Sequence, residues 1–331
     1  MKTAVIGVGV AGSSHLFDLM SSEYFDVVAV CASHEDKAQE TAEIFGVPSA
    51  HADVTELLAA HSLDAVVIAT PPHATAGILT CCLAAGAWVI VDKPAAHNGP
   101  ALRAVIENAG AQAGRARVAY NRRYQGHVSR ARDLIAALAL GPLTSVHCQW
   151  AGPFRQRYSS TSTYRVHAGP GDAVLLDTVC HVIDTLAILG LGALAADETR
   201  LTALPMGAEV AAEIRLTDQE LQVPVTVSVQ DRGEDDEWQI TAHGRKGFLE
   251  LDRHELRGEC GGLPIRLAAS DVRPVDDLLL LDTGQPAYGA TLEEAAQVLE
   301  TIDRIRAVAS RPRRAWTRPR AKALGRLNGA C

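Results

Sequence analysis

No apolar run in this chain approaches the roughly 20 residues that a membrane-spanning helix needs, so no membrane partner is expected. No leader is expected either. Met1-Lys2-Thr3 runs straight into a strand-like segment, which argues against a secretory or transit peptide and for a cytoplasmic protein. Cys-x-x-Cys spacing is missing: the seven cysteines (Cys31, Cys81, Cys82, Cys148, Cys180, Cys260, Cys331) are scattered and odd in number. That suggests neither a disulfide framework nor a structural zinc site, and no metal is expected. Repeats and low-complexity tracts are absent. So is any excess of positive charge. The net charge of −8 gives no support to a nucleic-acid partner. The exception is the basic tail over 311–331, with six Arg, one Lys and no acid, read as a solvated segment packing back on an acidic body. What remains is a chain of 331 residues, 47% hydrophobic and 21% charged, long enough for two domains with their own cores.

The first third alternates between strand-like and helical patterns. Strands are expected over 3–8, 25–31, 64–69, 88–92 and 117–120, and helices over 13–20, 35–45, 74–85 and 100–113. Such alternation gives an α/β, doubly wound parallel sheet of Rossmann type. Between the first strand and helix stands Gly7-x-Gly9-x-x-Gly12. Glycines there allow a tight turn and let the backbone of Gly7, Gly9, Val10, Ala11 and Gly12 approach a pyrophosphate seated on the helix N-terminus. The motif alone is weak; its place between a strand and a helix gives it weight. Ligands of these sheets lie beyond the carboxyl ends of the strands. Three distinctive segments fall there: Thr70-Pro71-Pro72-His73, Asp92-Lys93-Pro94 and Asn121-Arg122-Arg123-Tyr124.

The end of the second strand bears on the cofactor. An acidic residue about 20 positions past the glycines holds the ribose 2′-hydroxyl of NAD. Here the stretch is Cys31-Ala32-Ser33-His34, with no acid before Glu35. Ala32 cannot repel a 2′-phosphate, Ser33 can donate to it, and His34 or Lys37 can offset its charge. NADP(H) is therefore expected in preference to NAD(H).

Further on, a nearly all-apolar helix is expected from an Asp172 N-cap to a Gly190 stop. Its polar residues Asp177, His181 and Asp184 stand at i, i+4 and i+7, on one face. A carboxylate one turn from a buried imidazole can fix its tautomer and raise its basicity, as a proton acceptor requires. The plainer alternative is a core histidine pinned by Asp177, with Asp184 capping a neighbouring loop. Around this helix lies a second domain. A helix runs from Tyr124 to about Leu140, followed by strands over 143–150, 208–216, 223–230, 238–242 and 248–252 and a closing helix over 292–310. Alternation such as Glu213-Ile214-Arg215-Leu216 indicates an α+β domain with an open, mainly antiparallel sheet packed on one face. The divisions expected are a dinucleotide-binding domain over 1–122, a substrate-binding and oligomerisation domain over 123–310, and the tail over 311–331. The long loop over 151–171 carries Arg155, Arg157, Tyr158, Tyr164 and Arg165, suited to a polyhydroxylated or anionic ligand; Arg155 and Arg157 read equally well as surface charge.

Taken together, these motifs resemble the glucose–fructose oxidoreductase and inositol dehydrogenase (Gfo/Idh/MocA) family over essentially the whole chain. Gly7, Gly9 and Gly12, Ala69-Thr70-Pro71-Pro72-His73, Asp92-Lys93-Pro94, Asn121-Arg122-Arg123-Tyr124, Tyr164-Arg165, and Asp177, His181 and Asp184 come in the family's order. Asp92 stands where the family has Glu, the glycine-rich lead-in is thinned to Gly169-Pro170-Gly171, and Val179 replaces a frequent Gly. The resemblance implies an NAD(P)-dependent oxidoreductase acting on a secondary alcohol or ketone of a sugar, aminosugar or cyclitol. It implies that Lys93 and His181, supported by Asp177, handle the proton. Cofactor contacts would come from the glycine turn, Ser33, His34, Lys37, Thr70, Pro71, His73, Asp92 and Lys93. Substrate contacts would come from Asn121, Arg122, Tyr164, Arg165, Asp177 and His181. The family's open sheet implies a homodimer or homotetramer. Reduction of a C=N group on the same scaffold is the alternative, and a non-catalytic cofactor-binding regulator the remaining one. The strand-end reading predicts that Ala32→Asp raises the ratio of kcat/KM with NAD to that with NADP; an unchanged ratio shows that the position was misassigned.

Overall fold

The computed structural model describes residues 1–159, 173–205 and 207–309. Strands β1 (Lys2–Ile6), β2 (Asp26–Cys31), β3 (Ser49–His51), β4 (Ala65–Ile68), β5 (Trp88–Asp92) and β6 (Ala116–Ala119) form one sheet in the order β3-β2-β1-β4-β5-β6. Every pairing in it is parallel. All four residues of β4 are buried, as in a strand covered on both faces. The crossovers use α1 (Val10–Met20), α2 (Glu35–Phe45), α3 (Val54–Ala60), α4 (Pro72–Ala84) and α5 (Gly99–Ala109). Two elements were not foreseen. β3 has three half-buried residues, too few to show a period, and α3 is a short helix capped by Asp53, which accepts from Thr55 and Glu56. Helix α1 starts at Val10, ahead of the expected 13, because Gly9 is its N-cap. Helix α5 stops at Ala109 and passes into a 3-10 turn, Gly110–Arg115.

The glycine turn lies where β1 and β4 adjoin, the point at which the strand order reverses. Two of its glycines are required by packing. A Cβ on Gly7 would stand 2.3 Å from the Ala69 carbonyl oxygen, and one on Gly12 would stand 1.8 Å from that of Gly7. Gly9 differs: a Cβ there would meet no atom within 4 Å.

The second sheet has eight strands in the order β14-β13-β12-β11-β7-β10-β9-β8. They are β7 (Leu143–Gly152), β8 (Leu194–Ala203), β9 (Glu209–Asp218), β10 (Val223–Asp231), β11 (Glu237–Gly244), β12 (Gly247–Asp252), β13 (Glu255–Cys260) and β14 (Leu263–Ala268). It is antiparallel except for the central β10–β7 pair. Val223, Val225, Val227 and Val229 of β10 point into the core, alternating with exposed residues. Helices α6 (Gly126–Ala136), α8 (Cys180–Ile188) and α10 (Leu292–Ala309) contribute to the same core. The other face is polar: His147 pairs with Thr226, and Ser228 with Glu213. Strands β8, β13 and β14 were not foreseen. β14 and β8 are the sheet's two edges and β13 pairs between β14 and β12; exposed residues interrupt the alternation in β8 and β14, and polar or charged residues do so in β13. Helix α6 ends well short of 140, since Leu138 turns to φ +54°.

A late segment returns to the first sheet. Val275, and Leu278 on α9 (Asp277–Asp282), pack in one cluster with Val5, Leu16 and Ile90, and the Trp88 Nε1 donates to Asp282 at 3.1 Å. The two glycine environments predict opposite outcomes. Gly12→Ala should lower the unfolding free energy by about 2 kcal/mol or more, because backbone must move to admit the methyl. Gly9→Ala should stay within about 0.5 kcal/mol of the parent. Thermal unfolding of the two variants checks this; equal losses would mean the turn is packed otherwise.

Candidate active site

Helix α1 begins without a side-chain cap and without an acid in its first turn, and Val10 is 94% exposed. With the open space at Gly9, this leaves the N–H groups of Val10, Ala11 and Gly12 a place to receive an anion, which the helix dipole favours. The residues present therefore fit the pyrophosphate of a dinucleotide. At the end of β2, Cys31 and Ala32 are buried, while Ser33, His34 and Lys37 are exposed. Glu35 and Asp36 occupy the first turn of α2 beside them. The Thr70 hydroxyl is engaged with that of Thr75 at 3.0 Å. Pro71 is the N-cap residue of α4, and His73 is exposed in its first turn. Asp92 is half-buried and Asn121 exposed.

Just past β5, Lys93 turns toward the second domain, and its peptide to Pro94 is cis. Its Nζ donates to the backbone oxygen of Asp177 at 2.9 Å and to Oδ1 of the same residue at 3.0 Å. Both side chains are nearly buried, 14% and 12% exposed. Burial pulls the Lys93 pKa down, but the charge and hydrogen bond of Asp177, with Cys180 and Asp92, together outweigh it, and the amine is held as a cation above its ordinary range. Tyr158 donates to the other Asp177 oxygen at 3.1 Å. Arg157 stands 3.7 Å from that oxygen and pairs at 2.8 Å with Asp236.

His181 is 7% exposed. Two features differ from the expectation. Asp177 was to fix the imidazole, yet its carboxylate is turned to Lys93 and Tyr158, and the His181 Nδ1 is buried with no partner among the described residues. The one-face reading assumed a regular helix, whereas Leu175–Val179 is a π turn leading into α8, and the wider turn changes the angle between Asp177 and His181. The second difference is in basicity. Burial, then the charges of Lys93 and Arg122, push the His181 pKa well below its ordinary value, and Asp177 only partly opposes them. The imidazole is neutral at pH 7. Two aromatic rings flank it: Trp150 at 5.8 Å between centroids, and Tyr120 at 6.0 Å, edge-on.

Arg122, expected against the substrate, is instead 2% exposed. Its guanidinium lies 4.4 Å from the Trp150 centroid and 4.0 Å from that of Trp238. Arg123 pairs with the fully buried Asp184 at 2.8 Å, so Asp184 anchors the Asn-Arg-Arg-Tyr turn. Burial raises the Asp184 pKa to about 6 against the pull of Arg123. The stretch over 151–171 is not all loop: Phe154–Ser159 is a short helix, α7. Arg155 is an exposed partner of Asp231. Tyr164, Arg165, Asp172 and the basic tail lie outside the described residues. Trp150, Trp238, Tyr120 and His15 were missed. His15, three residues past Gly12 on α1, is nearly buried, its Nδ1 has no partner among the described residues, and burial lowers its pKa against the charges of Asp92 and Asp18. A polar residue on the packed face of α1 was the available signal. The tryptophans gave none, since aromatics in strands are ordinary core.

Among the described residues no group of three metal-binding side chains exists, and no helix is long and apolar enough to cross a membrane. The family description "Oxidoreductase family, NAD-binding Rossmann fold" matches residues 1–120, and "GFO/IDH/MocA C-terminal domain" matches residues 128–250. The chain is 30% identical over 107 residues to a 4-carboxy-2-hydroxymuconate-6-semialdehyde dehydrogenase of Sphingobium sp., covering 32% of this chain and 34% of that one. It is 29% identical over 151 residues to inositol 2-dehydrogenase 1 of Saccharopolyspora erythraea, covering 45% of each. The chain thus spans between a third and a half of the length of these curated relatives. Among solved structures, an oxidoreductase from Agrobacterium radiobacter in complex with NAD+, L-tartaric acid and magnesium superposes with a TM-score of 0.79 at 18% identity, over 93% of this chain and 96% of that one.

Proposed function

The chain belongs to the GFO/IDH/MocA oxidoreductase family, and from that premise we propose that it is an NAD(P)-dependent dehydrogenase or reductase acting on a secondary alcohol or ketone of a sugar, aminosugar or cyclitol. The observation that carries the proposal is the meeting of Lys93, from the dinucleotide-binding sheet, with Asp177, one turn before the nearly buried His181. When bound, the nicotinamide exchanges a hydride with the carbinol carbon. The protein's own groups do the rest. A neutral His181 accepts the hydroxyl proton as hydride departs, and returns it in the opposite direction. Lys93, held as a cation by Asp177, stabilises the charge that develops on the same oxygen. Asp177 acts on Lys93 directly and on His181 only through space. Arg157 and Tyr158, which contact Asp177, border the place where substrate hydroxyls would lie.

The dinucleotide would be held by the turn at Gly7, Gly9, Val10, Ala11 and Gly12, with Thr70, Pro71, His73 and Asp92 at the neighbouring strand ends. NADP(H) is proposed over NAD(H), because no acid stands at Ala32 while Ser33, His34 and Lys37 are exposed there; Glu35 and Asp36 in the same turn work against that preference. Asn121, exposed beside the site, is retained as a substrate contact, together with Tyr164 and Arg165. Reduction of a C=N group needs the same proton donor and remains the second reading on chemistry alone. The polar, uncovered face of the second sheet suits association into a homodimer or homotetramer, and the protein is proposed to be cytoplasmic.

Lys93→Ala and His181→Ala should each lower kcat by about 10²–10⁴-fold, with little change in cofactor affinity measured by fluorescence titration. Normal turnover by both variants, on a polyol and ketosugar panel with NADPH and NADH, would remove the catalytic assignment. Light scattering at micromolar concentration should give at least twice the 35.1 kDa chain mass; a monomer contradicts association through the sheet.

A further inference from the structure

An imidazole that exchanges protons is ordinarily oriented by a hydrogen bond on its second nitrogen. His181 has none on Nδ1 among the described residues, so another part of the protein must hold the ring. Trp150 and Trp238 are a directly opposed pair on the neighbouring strands β7 and β11. Trp150 faces the His181 ring at 5.8 Å, and the Arg122 guanidinium lies against both indoles, 4.4 and 4.0 Å from their centroids. Arg122 also reaches the helix that bears His181. Its Nη1 donates to the Thr185 hydroxyl at 3.3 Å, and that hydroxyl donates to the His181 backbone oxygen at 2.7 Å.

No carboxylate pairs with this arginine among the described residues. Asp184, the nearby acid, is taken by Arg123, and the Arg122 Nη2 is buried without a partner. Burial lowers the Arg122 pKa to about 9, which still leaves a cation at neutral pH. A buried cation balanced chiefly by indole faces is costly to stability. Packing alone gives it no purpose, because an apolar chain would fill the space without the charge.

We propose that Arg122 is the positioning residue for His181: fixed by Trp150, Trp238 and Thr185, its guanidinium holds the Trp150 ring against the imidazole and keeps a permanent positive charge behind it. This rests on the reading of His181 as the proton acceptor. The charged groups acting on His181 are Lys93 from the end of β5, Arg122 from the turn after β6, and Asp177 on its own helix; the buried Tyr120 and Cys180 add hydroxyl and thiol groups that stay protonated. Two of the three charges are positive. With burial as the first cause and these two cations after it, the imidazole gives up its proton to solvent below neutral pH and is free to accept another from a substrate hydroxyl.

The test is a titration of the histidine Cε1 resonances by NMR in the full-length protein, with His181 assigned through His181→Gln, beside the pH profile of kcat. In the parent the His181 midpoint should fall well below its ordinary value of about 6.5. Arg122→Met should raise it by about one unit and move the acidic limb of the kcat profile upward by the same amount. Arg122→Lys, which keeps the charge and loses the planar contact with the indoles, should leave the midpoint near the parent's while lowering kcat. If Arg122→Met does not fold, Trp238→Phe, which loosens one side of the clamp, should raise the midpoint by a smaller step. A parent midpoint near 6.5, or a midpoint unmoved in whichever variant folds, overturns the proposal. The titration needs no substrate, so a failed search for a turned-over alcohol or ketone would sink the dehydrogenase reading while leaving this one measurable.

Discussion

The ion pair between Lys93 and Asp177 is the constraint on which the site depends. Its two members lie 84 positions apart and belong to different sheets' domains. Lys93 leaves the carboxyl end of β5, where ligands of a parallel sheet collect; Asp177 sits in the π turn that feeds α8. Neither is exposed enough for the contact to be a loose surface pair. A nearly buried amine and carboxylate are favourable only when their geometry is tight, since each gives up its hydration. The second contact, from Lys93 Nζ to the Asp177 backbone oxygen, makes it tight and fixes the main chain of the π turn as well as the side chain. Whatever binds between the domains meets a cation whose position is set by both.

That pair also decides the condition of His181. With its carboxylate turned to Lys93, Asp177 cannot serve the imidazole as a hydrogen-bonding partner, and its residual field is outweighed by burial, Lys93 and Arg122. The consequences for stability have a definite sign. Below the ordinary imidazole value the unfolded chain takes up a proton that the folded chain refuses, so this group costs stability progressively as pH falls from about 6.5. Asp184 works the other way. Its carboxyl, raised to about 6 from 3.8, binds its proton more readily in the folded chain. Its contribution is fully present below 3.8 and is lost as pH rises through about 6. Three residues apart on one helix, the two groups partly offset each other between pH 4 and 6. In the proposed reaction, proton uptake by His181 would thus end its role as acceptor while Asp184 offsets part of the loss of stability.

Much of this was legible in the sequence for identifiable reasons. The alternation that gives the first sheet is a strong periodic signal, and the glycine turn had a strand before it and a helix after it. His181 drew notice as a polar residue on an otherwise apolar helix and Lys93 by its place at a strand end; their roles came from the family resemblance. The parts that could not be read depend on geometry no local pattern encodes. A π turn has the same apolar residues as an α turn, so the angle between Asp177 and His181 was taken as regular. Arg122 and Arg123 are neighbours of identical type, yet one enters an indole pair and the other a buried carboxylate. Which arginine goes where is settled by strands β7 and β11, far along the chain. The last two strands hide for different reasons: β14 is an edge with no buried residue, and β13 buries only Leu256, so neither shows the alternation that would have revealed it.

The cost of the arrangement argues for chemistry rather than for architecture. Lys93, Arg122 and Asp184 are charged groups at 14% exposure or less, and His181 is held neutral. The Tyr120 hydroxyl, the Arg122 Nη2, the His181 Nδ1 and one Asp184 oxygen are buried without partners among the described residues. An unsatisfied buried polar atom costs about 1–3 kcal/mol, and replacing a buried ion pair by apolar residues of similar volume is often neutral or stabilising. A protein that only held a dinucleotide could keep the glycine turn and fill the space between the sheets with leucine and valine, as it does through β10 and α10. Here several of the unfavourable groups stand around one imidazole and one amine, beyond the end of the sheet where a dinucleotide fits, while others such as His127 and Thr199 lie elsewhere. Costs of this kind beside Lys93 and His181 are what the proposed reaction asks of its site, where charges are kept for chemistry at the expense of packing.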